Sequence, residues 1–184
     1  MPLTPAVDRT PIYTRSITCT SYARGDGLWD IEGHLTDTKA YDFPNKFRGT
    51  IAAGEAIHDM WLRLTVDAEM TVRAVEAKTD AGPFAVCPAI NPAFRSLVGT
   101  RVGPGWRRVV RERLGGVKGC THLVDLLGPI ATVCFHSVRW SRRDPATPRS
   151  DAAPPPIGSC HAWASDGEVV RTDYPDFFTG PRGP

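Results

Sequence analysis

Two stretches of the chain place reactive polar side chains inside apolar runs. They are residues 57–64, Ile-His-Asp-Met-Trp-Leu-Arg-Leu, and residues 119–127, Gly-Cys-Thr-His-Leu-Val-Asp-Leu-Leu. In a β-strand alternate residues share a face, so His58 lies on the same apolar face as Met60 and Leu62. A buried imidazole needs a hydrogen-bond partner or a ligand. The pattern therefore predicts that His58 points into the core or into a pocket that the core lines.

The second stretch carries a thiol and an imidazole, Cys120 and His122, at the predicted start of a helix. Backbone N–H groups at a helix start favour a thiolate, and a nearby imidazole can act as its base. Burial as a small apolar residue is the alternative interpretation of Cys120. We hypothesise that His58 meets both side chains across one pocket.

Such a pocket suits acid–base catalysis on a small, aromatic molecule without an organic cofactor. In this hypothesis His58 is the base, Lys78 and His122 stabilise negative charge, and Cys120 shapes or assists the site. The most concrete form is a lyase of the retro-aldol or deformylating type. The aromatic side chains predicted to bind the substrate are Trp29, Trp61, Phe84 and Trp106.

A metal site is the second hypothesis. Nitrogen and sulfur ligands for zinc or iron are available at His58, Cys87, Cys120 and His122, although their spacing matches no short zinc signature. The protein would then be a metal or iron–sulfur module that hands its metal to a partner. A noncatalytic ligand-binding protein is a third, plainer hypothesis.

Segments with the apolar periodicity of strands come first in the chain, and segments with that of helices follow. This order predicts an α+β fold, with an antiparallel four-stranded sheet of two hairpins packed against C-terminal helices. The strands are predicted at 13–24, 28–39, 56–67 and 71–79, and the helices at 92–98, 106–114 and 121–138. Residues 40–54 read as a long loop. Gly128-Pro129 predicts a kink in the last helix.

The composition divides the chain into four parts. Residues 1–12 form an N-terminal arm, and residues 13–140 form the α+β core domain. A proline-rich linker covers residues 141–157, and residues 158–184 are predicted to form a hairpin and tail that dock on the core. The pair Cys160-His161 could then close over the pocket as a lid, and anchoring of the tail by burial of Trp163 is the alternative.

Size and charge are those of an ordinary soluble domain. The 184 residues carry a net charge of +2, which gives no argument for nucleic-acid binding. No apolar run reaches the roughly 18 residues of a membrane span, and the first residues lack signal-peptide features, so we expect a cytoplasmic protein. The five cysteines form no CxxC pair and are expected to be free thiols. A homo-oligomer is compatible with this composition, which does not decide the oligomeric state.

The chain resembles an uncharacterised bacterial family, a domain of unknown function common in proteobacteria. The resemblance rests on Asp-Gly-Leu-Trp-Asp-Ile-Glu-Gly-His-Leu-Thr-Asp-Thr-Lys at 26–39, on the runs around His58 and Cys120, and on Ser-Cys-His-Ala at 159–162. It covers nearly the whole chain and implies no particular activity.

About half of the chain is also similar, more distantly, to NifU-type iron–sulfur scaffolds. Residues 60–79, the following helices and Cys120 resemble the scaffold's methionine-led strand, its Lys-Thr strand end at Lys78-Thr79 and its helix cysteine. Where the family has its other ligands this chain has Ala56, His58, Gly82 and Gly119. The resemblance implies a NifU/SufE-like fold in which one pocket is surrounded by Ala56, His58, Lys78, Gly82 and Cys120. Most of the cluster ligands are absent.

Overall fold

The computed structural model describes residues 7–141 and 156–181. The chain divides into two compact units, one ending at Arg142 and one beginning at Arg143. The predicted arm at 1–12 is described only from residue 7 onward. Most of the predicted linker at 141–157 lies outside the described residues.

The first unit is built on an antiparallel four-stranded sheet, as the sequence predicts. Its strands are β1 (Tyr13–Ala23), β2 (Trp29–Lys39), β5 (Ala56–Val66) and β6 (Val72–Ala81), in the order β1-β2-β5-β6. Two hairpins, β1-β2 and β5-β6, join through the pairing of β2 with β5. The predicted loop at 40–54 contains a further small hairpin, β3 (Phe43–Asn45) and β4 (Gly49–Ile51).

Alternation along the strands gives the sheet one apolar face. In β2 the odd-numbered residues from Ile31 to Asp37 are buried, and in β5 the even-numbered residues from His58 to Val66 are buried. The opposite face carries charged and polar side chains. The turn that joins β1 to β2 contains Gly27, whose φ of +82° suits a residue without a side chain.

Helices cover the apolar face. They are a 3-10 helix at Cys87–Leu97, α1 (Trp106–Leu114) and α2 (Thr121–Ser141). The helix predicted at 92–98 lies within the first of these. The last helix extends through Gly128-Pro129 as one element, with Leu123, Leu126, Leu127 and Ile130 buried in the core. The fold is therefore α+β, with the core between the sheet and the helices.

The helix α2 packs closely against Gly33 of β2. A Cβ added there would lie 2.8 Å from Cδ1 of Ile130 and 3.3 Å from Cδ2 of Leu126. Gly33→Ala should therefore lower the free energy of unfolding by about 1–3 kcal/mol, the usual cost of overpacking a core. Chemical denaturation of the variant measures this cost. The double variant Gly33→Ala with Ile130→Val should recover part of it, and no recovery would contradict the close approach.

The second unit contains helices where the sequence predicts a hairpin. It has 3-10 helices at His161–Trp163 and Pro175–Phe177, with α3 (Glu168–Asp173) between them. The hairpin prediction for the segment beginning at 158 is wrong. Gly167 is the N-cap residue of α3, and Glu168 pairs with Arg171 one turn later, which stabilises a short helix. The docking of the tail on the core stays a prediction.

None of the helices among the described residues has both the length and the apolar character needed to cross a bilayer. All five cysteines are free thiols.

Candidate functional site

Three charged or polar side chains form a row across the inner face of the sheet. Arg15 of β1 is the direct cross-strand partner of Asp37 of β2, and Asp37 is the partner of His58 of β5. The row continues the apolar face on which Ile31 and Leu35 lie. The pairing of β2 with β5 shifts register immediately after Asp37, so the row lies where the regular ladder is interrupted.

Asp37 is fully buried and is held by a bidentate ion pair. Arg15 Nε donates to Asp37 Oδ1 at 2.7 Å, and Arg15 Nη2 donates to Oδ2 at 2.8 Å. The other terminal nitrogen of Arg15 donates to Asp125 of α2 at 2.7 Å. Burial alone would raise the pKa of Asp37, but the ion pair with Arg15 and the nearby Tyr13 hydroxyl outweigh it and lower that pKa. Asp37 is therefore ionised at neutral pH.

The ionised carboxylate orients His58. Nδ1 of His58 lies 2.9 Å from Asp37 Oδ2, and 11% of the His58 side chain is exposed. A carboxylate can only accept, so Nδ1–H donates and the tautomer assigned on that ground leaves a lone pair on Nε2. Burial, followed by the nearby ring of His122, lowers the pKa of His58. A neutral imidazole fixed by a carboxylate has the arrangement of a general base.

His122 and Cys120 complete the cluster from the start of α2. The His122 ring stacks on that of His58 with centroids 3.6 Å apart and planes 28° apart. Its Nε2 lies 3.7 Å from Asp37 Oδ2, and burial lowers its pKa. Sγ of Cys120 lies 3.8 Å from His122 Nδ1 and 4.0 Å from Sδ of Met60. The structure thus brings His58, Cys120 and His122 together.

The structure places Lys78 on the opposite face of the sheet. Lys78 pairs with Trp61 across β5 and β6, and its ammonium group lies 2.6 Å from a carboxylate oxygen of Asp80. Trp61 belongs to the outward-facing positions of β5, whereas His58 belongs to the inward-facing ones. Lys78 therefore does not join the histidines, and the cation beside them is Arg15.

The four predicted substrate-binding aromatics do not gather at the histidines. Trp61 stacks on His34 on the outer face, and Trp106 is buried and donates its indole N–H to the Leu127 carbonyl at 3.0 Å. Trp29 lies at the other end of β2 from Asp37, and Phe84 is largely exposed in the segment after β6. Tyr13, which contacts Asp37 and Arg15, is the aromatic side chain that we find beside the ion pair.

A second His–Asp pair lies on the outer face of the same two strands. Nε2 of His34 lies 2.7 Å from Oδ1 of Asp59, and the Trp61 ring covers His34 at a centroid distance of 3.7 Å. The hydrogen-bonded pair is part of a polar face that includes the Glu32–Arg63 ion pair. The sheet therefore separates two His–Asp pairs, of which only the inner one adjoins α2.

Sequence reasoning missed Arg15, Asp37 and Asp125. A signal for Asp37 exists in the sequence, because it has the same parity as Ile31, Gly33 and Leu35 on β2 and so continues the apolar face. A carboxylate at such a position predicts a buried partner.

Among the described residues, the side chains whose donor atoms are close enough to hold a metal ion are Asp37, His58 and His122. One ligand atom from each lies within 4.8 Å of the others. Two of the metal ligands predicted from sequence, His58 and His122, belong to this group. Cys87 begins the 3-10 helix after β6 and packs beside Gly82 instead.

Comparison with known proteins adds a family but no activity. No curated protein and no solved structure matches the chain, so the likeness to NifU-type scaffolds stays a prediction. A family model described as "Protein of unknown function (DUF2889)" matches residues 13–136. That segment spans β1 to α2 and contains Arg15, Asp37, His58 and His122. The chain belongs to this DUF2889 family.

Proposed function

We propose that the protein is an enzyme that transfers protons on a small-molecule substrate, with His58 as the general base. The observation that carries the proposal is the hydrogen bond of 2.9 Å between His58 and the buried carboxylate of Asp37. That bond fixes the ring and leaves the Nε2 lone pair available. The lowered pKa of His58 keeps the base unprotonated at neutral pH.

Two further groups suit the negative charge that proton removal creates. His122 lies against His58, and Arg15 is about one third exposed beside Asp37. An imidazole N–H and a guanidinium both donate hydrogen bonds to a developing oxyanion or enolate. Arg15 takes the role that the sequence hypothesis gave to Lys78. Cys120 packs between His122 and Met60 and shapes the wall of the site.

The reaction that we propose is a retro-aldol cleavage, of which deformylation is the simplest case. His58 removes the proton of a β-hydroxyl group, and the C–O bond becomes a carbonyl as the adjacent C–C bond breaks. The aldehyde leaves, and the electron pair of the broken bond passes to an electron-poor group on the remaining fragment. That fragment then recovers the proton from His58, so that the base is regenerated.

An aromatic substrate remains part of the proposal. An aryl group conjugated with the cleaved bond would accept the electron pair. Tyr13 is about half exposed beside Asp37, and its ring offers a flat surface for a planar molecule. We propose a cytoplasmic location, in keeping with five free thiols.

The iron–sulfur alternative finds less support at this site. Such clusters are held by cysteine thiolates. Cys120 adjoins the histidines, whereas Cys87 lies beside Gly82 and Cys134 is fully buried in the core. Burial raises the pKa of Cys134 to about 12, which disfavours the thiolate that a cluster needs.

A turnover assay tests the proposed reaction. The full chain, freed of metals with a chelator, is incubated in deuterated water with a panel of aryl compounds that carry a β-hydroxymethyl group. We expect release of an aldehyde, with one solvent deuteron in the other product at the carbon where the bond broke. Neither aldehyde release nor deuterium exchange with any member of the panel would overturn the proposal.

A further inference from the structure

The inner cluster has the donor set of a transition-metal site. Two imidazoles and one carboxylate, with further positions left open, are the protein ligands of several catalytic zinc sites and of non-haem iron sites. In this chain the donors come from β2, β5 and the first turn of α2, so three elements fix them. We propose that Asp37, His58 and His122 bind one divalent transition-metal ion such as Zn²⁺, and that the bound metal prevents His58 from acting as a base.

The separations of the donor atoms fit one shared ion. His58 Nδ1 and His122 Nε2 lie 2.9 Å and 3.7 Å from Oδ2 of Asp37. Donors bound at about 2.0–2.1 Å in tetrahedral directions lie roughly 3.4 Å from one another. The two observed separations lie on either side of that value, so the backbone already brings the three side chains within reach of one metal.

The charges around the cluster also favour a cation. Asp37 and Asp125 carry two negative charges, and Arg15 between them carries one positive charge. Both imidazoles have lowered pKa values because of burial, and neutral imidazole is the form that binds metals. The cluster therefore has a net negative charge, which a divalent cation would offset.

Metal binding requires a proton shift and one movement. In the hydrogen-bonded tautomer the proton is on Nδ1 of His58, so it must move to Nε2 before the Nδ1 lone pair can bind the metal. The rings of His58 and His122 are stacked nearly parallel, and a nitrogen lone pair lies in the plane of its ring, so the two lone pairs do not converge as the rings stand. The His122 ring must turn out of the stack. Its other contacts are long, 3.8 Å to Cys120 and 3.5 Å to Thr121, and 24% of its side chain is exposed. His122 is therefore the ligand that is free to adjust.

Arg15 does not prevent coordination by Asp37. A carboxylate has about four lone-pair directions, and the bidentate pair with Arg15 uses two of them. With the metal bound, Arg15 would hold the carboxylate in place from the other side, as the outer partners of metal ligands commonly do.

The inference concerns the same site as the proposed function, but it does not depend on it. A metal on Nδ1 of His58 leaves the ring proton on Nε2, so the metal-bound protein has no free base there. We expect Zn²⁺ to inhibit turnover when one ion is bound per chain, and a chelator to restore it.

Metal titration tests the site without any substrate. The metal-free full chain, without a histidine tag, is titrated with Co²⁺ and followed by its visible absorption, and with Zn²⁺ by calorimetry. We expect one site per chain. His122→Ala and His58→Ala should each weaken binding more than about 100-fold, beyond the effect of losing an outer partner. His34→Ala removes an imidazole from the opposite face of the same two strands and should leave binding unchanged.

Each result decides between specific alternatives. No Co²⁺ absorption and no heat of Zn²⁺ binding would overturn the metal site, and so would binding that survives His122→Ala. His122→Ala is the decisive variant because His122 is partly exposed at a helix start, and circular dichroism checks its fold. If the chain binds the metal and turnover requires it, the metal site stands and the assignment of His58 as a free base fails.

Discussion

Replacement of His58 by glutamine should lower turnover about 10²–10⁴-fold, the usual contribution of a positioned acid–base group. Glutamine fills a similar volume and can still donate a hydrogen bond to Asp37, so the loss reports the missing base. The effect should fall on kcat more than on KM, because the proton moves only in the chemical step. Steady-state rates of aldehyde release by the two proteins, with metals removed, measure it.

His34→Gln is the matched control. His34 is also hydrogen-bonded to an aspartate, Asp59, and lies on β2, but its ring faces outward under Trp61. We expect that variant to keep the turnover of the wild-type chain. Equal losses in the His34 and His58 variants would mean that the fold, and not the base, is being disturbed. Full activity in His58→Gln would exclude His58 from the chemistry.

Arg15→Met should lower the free energy of unfolding at pH 7 by about 2–3 kcal/mol. It leaves the carboxylate of Asp37, which is fully buried, without the cation that compensates it. The value lies below that for a wholly buried pair because solvent reaches Arg15, which is about one third exposed. Urea denaturation of the two proteins at a series of pH values measures the difference.

The pH dependence of this loss has a definite sign. In the wild-type chain the folded pKa of Asp37 is lowered, so its contribution to stability is present above the unfolded pKa of about 3.9 and is lost as the pH falls through the folded value. Without Arg15 the effect of burial prevails, and the folded pKa rises above the unfolded one. The variant then loses stability as the pH rises. The difference in the free energy of unfolding between the wild-type chain and the variant should therefore be larger at pH 7 than at pH 4.

The double variant Arg15→Met with Asp37→Asn separates charge from packing. With no carboxylate left to compensate, the double variant should be more stable at pH 7 than Arg15→Met alone. If Asp37→Asn lowers stability further in the Arg15→Met background, then the lost packing of the arginine side chain is responsible and the electrostatic explanation is wrong.

Alternation of apolar residues was enough to predict the sheet and its hairpins. It also predicted that His58 faces the core and that α2 begins near Cys120. These features depend on local periodicity, which a sequence shows directly. Asp37 could have been found by the same rule, because its parity on β2 puts it on the buried face with Leu35.

Other parts of the site depend on pairings that no local pattern reveals. The contact between Arg15 and Asp125 joins residues 110 positions apart, and it exists only because α2 packs across β1 and β2. The resemblance to NifU-type scaffolds placed Lys78 at the pocket, although the alternation along β6 puts Val75 and Ala77 on the inner face and Lys78 on the outer one. The apolar periodicity of the second unit is too weak to predict its helices. Contacts one turn apart, such as that of Glu168 with Arg171, stabilise them instead.

The position of β1 at the margin of the sheet ties the chemistry of the cluster to local opening. This strand hydrogen-bonds to a neighbour on one side only, and its first six residues, which include Arg15, are exposed. Such terminal segments open far more often than the central strands that hold Asp37 and His58. When local opening separates Tyr13 to Ser16 from β2, the guanidinium of Arg15 leaves the carboxylate of Asp37. The carboxylate is then no longer neutralised, and a proton binds to it or to His58. Amide exchange at the start of β1 would thus report how often the base is switched off.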